Sequence, residues 1–178
     1  IELSGGYGGS GINGRGTLIG TLGLTFNNFS TKNFFKKKAW TPLPGGDGQR
    51  LSIRAQTNGK FYQSLSFSFT EPWLGGKKPN SLTVWMNRTW LGNGHIRSHE
   101  DYSGLSITGI GVGLGRRKKW PDDYFQAAYN LSYQYYDVVD DQRFVVFDNG
   151  YANDISLEYK LIRSSVASQI YPTSGSSL

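Results

Sequence analysis

Apolar and polar residues alternate with a period of two along most of the chain, the spacing of extended strands with one apolar face. The clearest run sets Phe61, Gln63, Leu65, Phe67 and Phe69 on one face, and Tyr62, Ser64, Ser66, Ser68 and Thr70 on the other. Leu51, Ile53 and Ala55 precede it with the same alternation. Leu82, Val84, Met86 and Trp90 follow on one face, with Arg88 as the misfit among them. Phe125, Ala127, Tyr129, Leu131, Tyr133 and Tyr135 form a further apolar face, as do Ile155, Leu157, Tyr159 and Leu161. Nearer the start, Leu18, Leu22, Leu24 and Phe26 oppose Thr17, Thr21, Thr25 and Asn27. Residues 1–9 place Ile1, Leu3 and Tyr7 on one face, diluted by Gly5, Gly6, Gly8 and Gly9. In residues 103–115 the apolar phase changes parity around Gly109, from Leu105 and Ile107 to Ile110, Val112 and Leu114. That change predicts either a bulge or two large side chains on the opposite face. The pattern gives eight strands and the start of a ninth.

The connections alternate too. Those at 9–16, 57–60, 92–101 and 137–150 are polar. The others are basic and carry Trp: Lys32, Lys36, Lys37, Lys38 and Trp40; Trp73, Lys77 and Lys78; Arg116, Arg117, Lys118, Lys119 and Trp120. An up-and-down meander puts this second set on one rim. Trp beside Lys or Arg at one end of apolar-faced strands suits a membrane interface, with rings at headgroup depth and cations reaching outward. Trp40, Trp73, Trp120, Lys37, Lys77 and Arg117 are therefore the expected lipid-interface anchors. A soluble sandwich with basic, solvated turns is the competing architecture.

Composition sharpens this picture. Gly supplies 24 of the 178 residues and aromatics 15%, which favours β-structure with many turns over a helical bundle. No run approaches the ~18 apolar residues of a membrane helix, which leaves a strand-built membrane barrel open. Zero Cys excludes disulfides and thiol catalysis. The net charge of +6 points to anionic partners. With no recognition helix or stacking sheet, phospholipid and lipopolysaccharide headgroups fit better than nucleic acid.

The chemical motifs are weak, and neither enzyme activity, metal nor cofactor is expected. Gly6-Tyr7-Gly8-Gly9-Ser10-Gly11 has dinucleotide-loop spacing, but turn sequence follows where a helix is needed. His95 and His99 fall in a loop with Glu100 and Asp101, a poor frame for a metal. Asn87-Arg88-Thr89 matches a glycosylation acceptor but lies inside a strand. Ile1 starts within a strand pattern, and Ser174 to Leu178 looks like a turn opening another strand. The expectation is a part of a longer chain.

Three stretches resemble a known family. Gly48-Gln49-Arg50-Leu51-Ser52-Ile53-Arg54 leads through a hairpin to Phe67-Ser68-Phe69-Thr70-Glu71-Pro72-Trp73-Leu74. These look like the third and fourth strands of the outer-membrane β-barrel assembly factor family (BamA-like), and Ile170-Tyr171-Pro172-Thr173-Ser174-Gly175-Ser176 resembles its turn between strands eight and nine. The resemblance implies an all-β, antiparallel, up-and-down transmembrane barrel of sixteen strands in the bacterial outer membrane. Residues 1–178 would supply its first half, without the polypeptide-transport-associated (POTRA) domains or the second half. It further implies an insertase whose clients are nascent outer-membrane β-barrel proteins, working with assembly-machinery lipoproteins. Strand one would be the lateral gate, with Leu3, Ser4, Gly5, Gly6, Tyr7, Gly8 and Gly9 receiving the client strand. The basic turns would lie at the periplasmic rim. A passive porin, or a translocation-assembly or two-partner secretion channel, is the alternative.

Overall fold

A computed structural model describes residues 2–8, 17–40, 43–76, 80–141, 149–165 and 176. Eight antiparallel strands follow one another in the chain and in space. They are β1 (Glu2–Gly8), β2 (Thr17–Phe29), β3 (Gln49–Asn58) and β4 (Tyr62–Glu71), then β5 (Asn80–Gly92), β6 (Gly104–Arg117), β7 (Phe125–Val139) and β8 (Gly150–Arg163). Each strand pairs with the next in the chain, the antiparallel arrangement that needs no crossover. The one helical turn among the described residues is a 3-10 turn, Lys37–Ala39.

Register turns the sequence alternation into two faces. Leu24, Ile53, Phe67, Met86, Ile110, Tyr133 and Ile155 stand opposite one another from strand to strand. Phe26, Leu51, Phe69, Val84, Val112, Leu131 and Leu157 form the next row on the same face. No second sheet covers this face among the described residues, and Ile155 and Leu157 are 73% and 78% exposed. A soluble sandwich would bury such a face under another layer about 10 Å away. Left open across seven strands, such a face calls for lipid.

The opposite face is polar and tied across the strands by hydroxyl pairs. Thr25 and Ser52 lie 3.1 Å apart, Ser64 and Thr89 3.2 Å, Thr70 and Thr83 3.2 Å, and Ser132 and Ser156 3.1 Å. The Asn130 amide donates to Glu158 at 2.9 Å. Each such pair adds about 0.2–1 kcal/mol to the ladder.

Three local features differ from, or refine, the expected pattern. The β6 register runs unbroken through Gly109, so its phase change is no bulge. Leu105 and Ile107 instead sit on the polar face, where Leu105 is 2% exposed. The irregularity falls in β2, where register shifts between Phe26 and Phe29. That shift buries Phe29 edge-on against Phe69, ring centroids 6.3 Å apart, and lets the Ser30 N–H reach the Pro44 carbonyl at 2.8 Å. Phe61 closes a tight turn rather than opening β4. Its N–H donates to the Asn58 carbonyl at 3.1 Å, and Gly59 there has φ of 56°, a conformation that suits glycine. The expected ninth strand lies outside the described residues.

Candidate functional site

β1 stands at one end of the sheet. Leu3 pairs opposite Leu22, Ser4 opposite Thr21, Gly5 opposite Gly20, Gly6 opposite Ile19, Tyr7 opposite Leu18 and Gly8 opposite Thr17. Gly9 lies outside the described residues. β1 is 7 residues long beside a β2 of 13, and its other side pairs with no described strand. A row of backbone N–H and C=O groups is thereby offered to a further strand. A Cβ on Gly6 would meet nothing within 4 Å, and one on Gly5 only the Ile19 carbonyl oxygen at 3.8 Å. Crowding within this sheet therefore does not explain these glycines. They leave an edge with little side-chain packing, weak as a strand and adaptable in backbone.

The basic connections do share a rim, because β2–β3, β4–β5 and β6–β7 turn at the same end of an up-and-down sheet. Trp40, Trp73 and Trp120 are all exposed there, Trp120 at 84%. Trp40 is held by its indole N–H, which donates to the Phe34 carbonyl at 3.0 Å, and by the Phe34 ring at 5.6 Å. Lys37 is exposed in the 3-10 turn. Arg117 folds back into its own turn, its Nε donating to the Asp123 carbonyl at 2.7 Å. Lys77 lies outside the described residues.

Two of the three stretches that carry the resemblance meet at this rim. Gln49 is 3% exposed and donates from Nε2 to Glu71 Oε2 at 2.6 Å. Its Oε1 accepts the Thr31 N–H at 2.8 Å, while Glu71 Oε1 accepts the Trp73 N–H at 2.9 Å. Gln49 and Glu71 thus clamp the β2–β3 connection to the turn that presents Trp73. Sequence spacing gave no sign of this contact, since 22 positions separate the partners. The third stretch lies outside the described residues except for Ser176. There Arg163 donates to the Ser176 hydroxyl at 2.7 Å and pairs with Asp122 at 2.9 Å. The end of β8 is thereby fastened to the turn that carries Trp120.

At the far rim, Arg97 pairs with Asp137 at 2.9 Å, and that hydrogen bond raises the guanidinium pKa above its ordinary value. His95 and His99 stack with ring centroids 4.4 Å apart. No group of three or more metal-ligating side chains gathers among the described residues.

These observations converge on a membrane sheet whose edge strands, β1 and β8, each pair on one side only among the described residues. The family model described as Omp85 superfamily domain matches residues 45–178, from just before β3 to beyond β8. The chain belongs to the Omp85 superfamily. Its matched segment contains the Gln49–Glu71 clamp, whereas β1 and β2 precede it. No curated protein and no solved structure matches the chain. Omp85 proteins are outer-membrane proteins of Gram-negative bacteria or organelles, and this one shares their role in outer-membrane protein assembly or secretion.

Proposed function

We propose that this Omp85 chain belongs to a BamA-like insertase of the bacterial outer membrane, with β1 as the edge that receives a client strand. The observation that carries the reading is the combination at β1 of an edge unpaired among the described residues and glycines that nothing crowds. An incoming strand would bind through main-chain hydrogen bonds at Leu3 to Gly9, which tolerate many client sequences. The barrel would close by pairing β1 weakly with its last strand, and a client would enter where that seam opens. No covalent step is involved. The exposed Trp residues and cations of the basic rim would hold phospholipid headgroups and fix the depth of the sheet. Nascent outer-membrane β-barrel proteins are the clients, and assembly lipoproteins the expected partners on the soluble side.

Locking the seam tests this. Ser4→Cys would be paired in the full-length protein with a cysteine on the strand that closes against β1, at several positions, because a disulfide needs Cα atoms within about 7 Å. The expected outcome is loss of outer-membrane protein assembly, restored by reductant, with the barrel still folded. Normal assembly with the bridge fully formed would overturn the gate. A passive channel, whose pore does not depend on an opening seam, would keep its conductance when locked.

A further inference from the structure

Arg88 interrupts the apolar face of β5 between Met86 and Trp90, opposite Leu65 of β4 and Thr108 of β6. No described carboxylate pairs with it. Its guanidinium lies over the Trp90 ring, 4.9 Å from the centroid. Trp90 stands about 26 Å of strand beyond Leu82, at about 3.3 Å per residue. On a tilted strand that crosses most of an apolar band about 25 Å tall. Arg88 therefore lies one row inside the interface opposite the basic rim, and its stem turns the charge toward that interface.

Two hollows meet at the same Trp. An apolar groove of about 530 Å³ runs between Ile53, Leu65, Phe67 and Met86, with Arg88 and Trp90 in its wall. A second cleft of about 230 Å³ is lined by Lys60, Gln63, His95 and Tyr102, and Trp90 borders it as well. The groove suits a hydrocarbon chain; the cleft mixes Lys60, Gln63 and His95 with Leu91 and Ile96, which suits the junction of chain and headgroup, with a cation at the boundary and a second in the cleft.

We propose that this paired hollow binds a phosphate-bearing membrane lipid. Its acyl chain occupies the groove, its phosphate accepts hydrogen bonds from Arg88, and its headgroup extends into the cleft toward Lys60. Charge complementarity selects the occupant. A guanidinium donates in a fork that matches phosphate oxygens, and a neutral lipid would leave it without an anion. The site needs only that this face meets lipid, and it stands or falls independently of the insertase reading.

Native mass spectrometry of the full-length protein in detergent, incubated with dioleoyl phosphatidylglycerol, reads the site directly. Phosphatidylglycerol should be retained, and phosphate-free dioleoylglycerol should not. Arg88→Gln should weaken retention about tenfold, the scale of a lost charge-assisted hydrogen bond, with Lys60→Gln losing less. Heat-modifiable electrophoretic migration checks that each variant is folded. If Arg88→Gln does not fold, Leu65→Trp, which fills the groove and leaves the charge in place, should reduce retention instead. Equal retention by wild type and variant, or of dioleoylglycerol, would overturn the proposal. So would displacement of the lipid by millimolar inorganic phosphate, which would mark a free-anion site.

Discussion

β1 and β6 are both glycine-rich strands of one sheet, yet their glycines have opposite surroundings. On β6, Gly109, Gly111, Gly113 and Gly115 line the polar face. A Cβ on any of them would run into a neighbouring side chain: Asn87, Trp85, Asn130 and Ser81 respectively. β6 therefore forms a trough into which larger residues of β5 and β7 lie down. On β1 the space over Gly5 and Gly6 is open. Glycine on β6 makes packing possible, whereas glycine on β1 removes it. Composition alone would score the two strands alike. What separates them is position in the sheet, since β6 has partners on both sides and β1 on one.

The comparison depends on which face of β6 meets lipid, and the largest expected effect tests that. Val112 sits on the apolar face, flanked in register by Val84 and Leu131. Val112→Arg should destabilise the full-length barrel by about 2–4 kcal/mol if the residue lies near the bilayer midplane. Urea unfolding in lipid vesicles would measure this. A loss below about 1 kcal/mol would place Val112 near an interface or turn it to the lumen, and only in the second case would the trough face lipid.

Much of this arrangement was legible in the sequence. Period two identified the apolar face of β2 to β5, β7 and β8, and alternate basic turns identified one rim, because both are local patterns that survive folding unchanged. For the β6 phase change the sequence offered a bulge or two large side chains on the opposite face; the second is what the structure shows, and the choice between them was not legible. It depends on Trp85 of β5 lying across Gly111, a contact set by cross-strand register and invisible along one strand. The same holds for Gln49 and Glu71, joined only when β3 and β4 align. Arg88 was visible as a misfit, but the two hollows around it need four strands and two connections to form. For β1, sequence showed the glycines but not whether anything crowds them.

A second, smaller effect isolates the trough itself. Gly111→Val should cost about 1–3 kcal/mol, because the new side chain must displace the Trp85 indole or shift the backbone. Trp85→Ala removes the obstacle, so the double variant should be less destabilised than the sum of the two single ones. Urea midpoints of the four proteins give the coupling directly. Strict additivity would mean that the Trp85–Gly111 contact is not the reason for glycine at this position.

The smallest effect on stability belongs to β1, and there the sign should reverse. Gly6→Ala places a methyl group where nothing stands within 4 Å, so no clash opposes it. Alanine loses less conformational freedom than glycine on entering a strand, by about 0.5–1 kcal/mol. The variant should therefore be as stable as wild type or slightly more so. In the insertase reading, the same stiffening strengthens the pairing of β1 with its closing strand and disfavours the open seam. A shift of that size lowers the open population about two- to fivefold. Reconstituted assembly of a client barrel should slow by about that factor while the unfolding midpoint stays level or rises. Destabilisation comparable to that of Gly111→Val would show that β1 packs as tightly as β6, and the contrast between the strands would fail. An unchanged midpoint with unchanged assembly would leave that contrast intact and count against the gate.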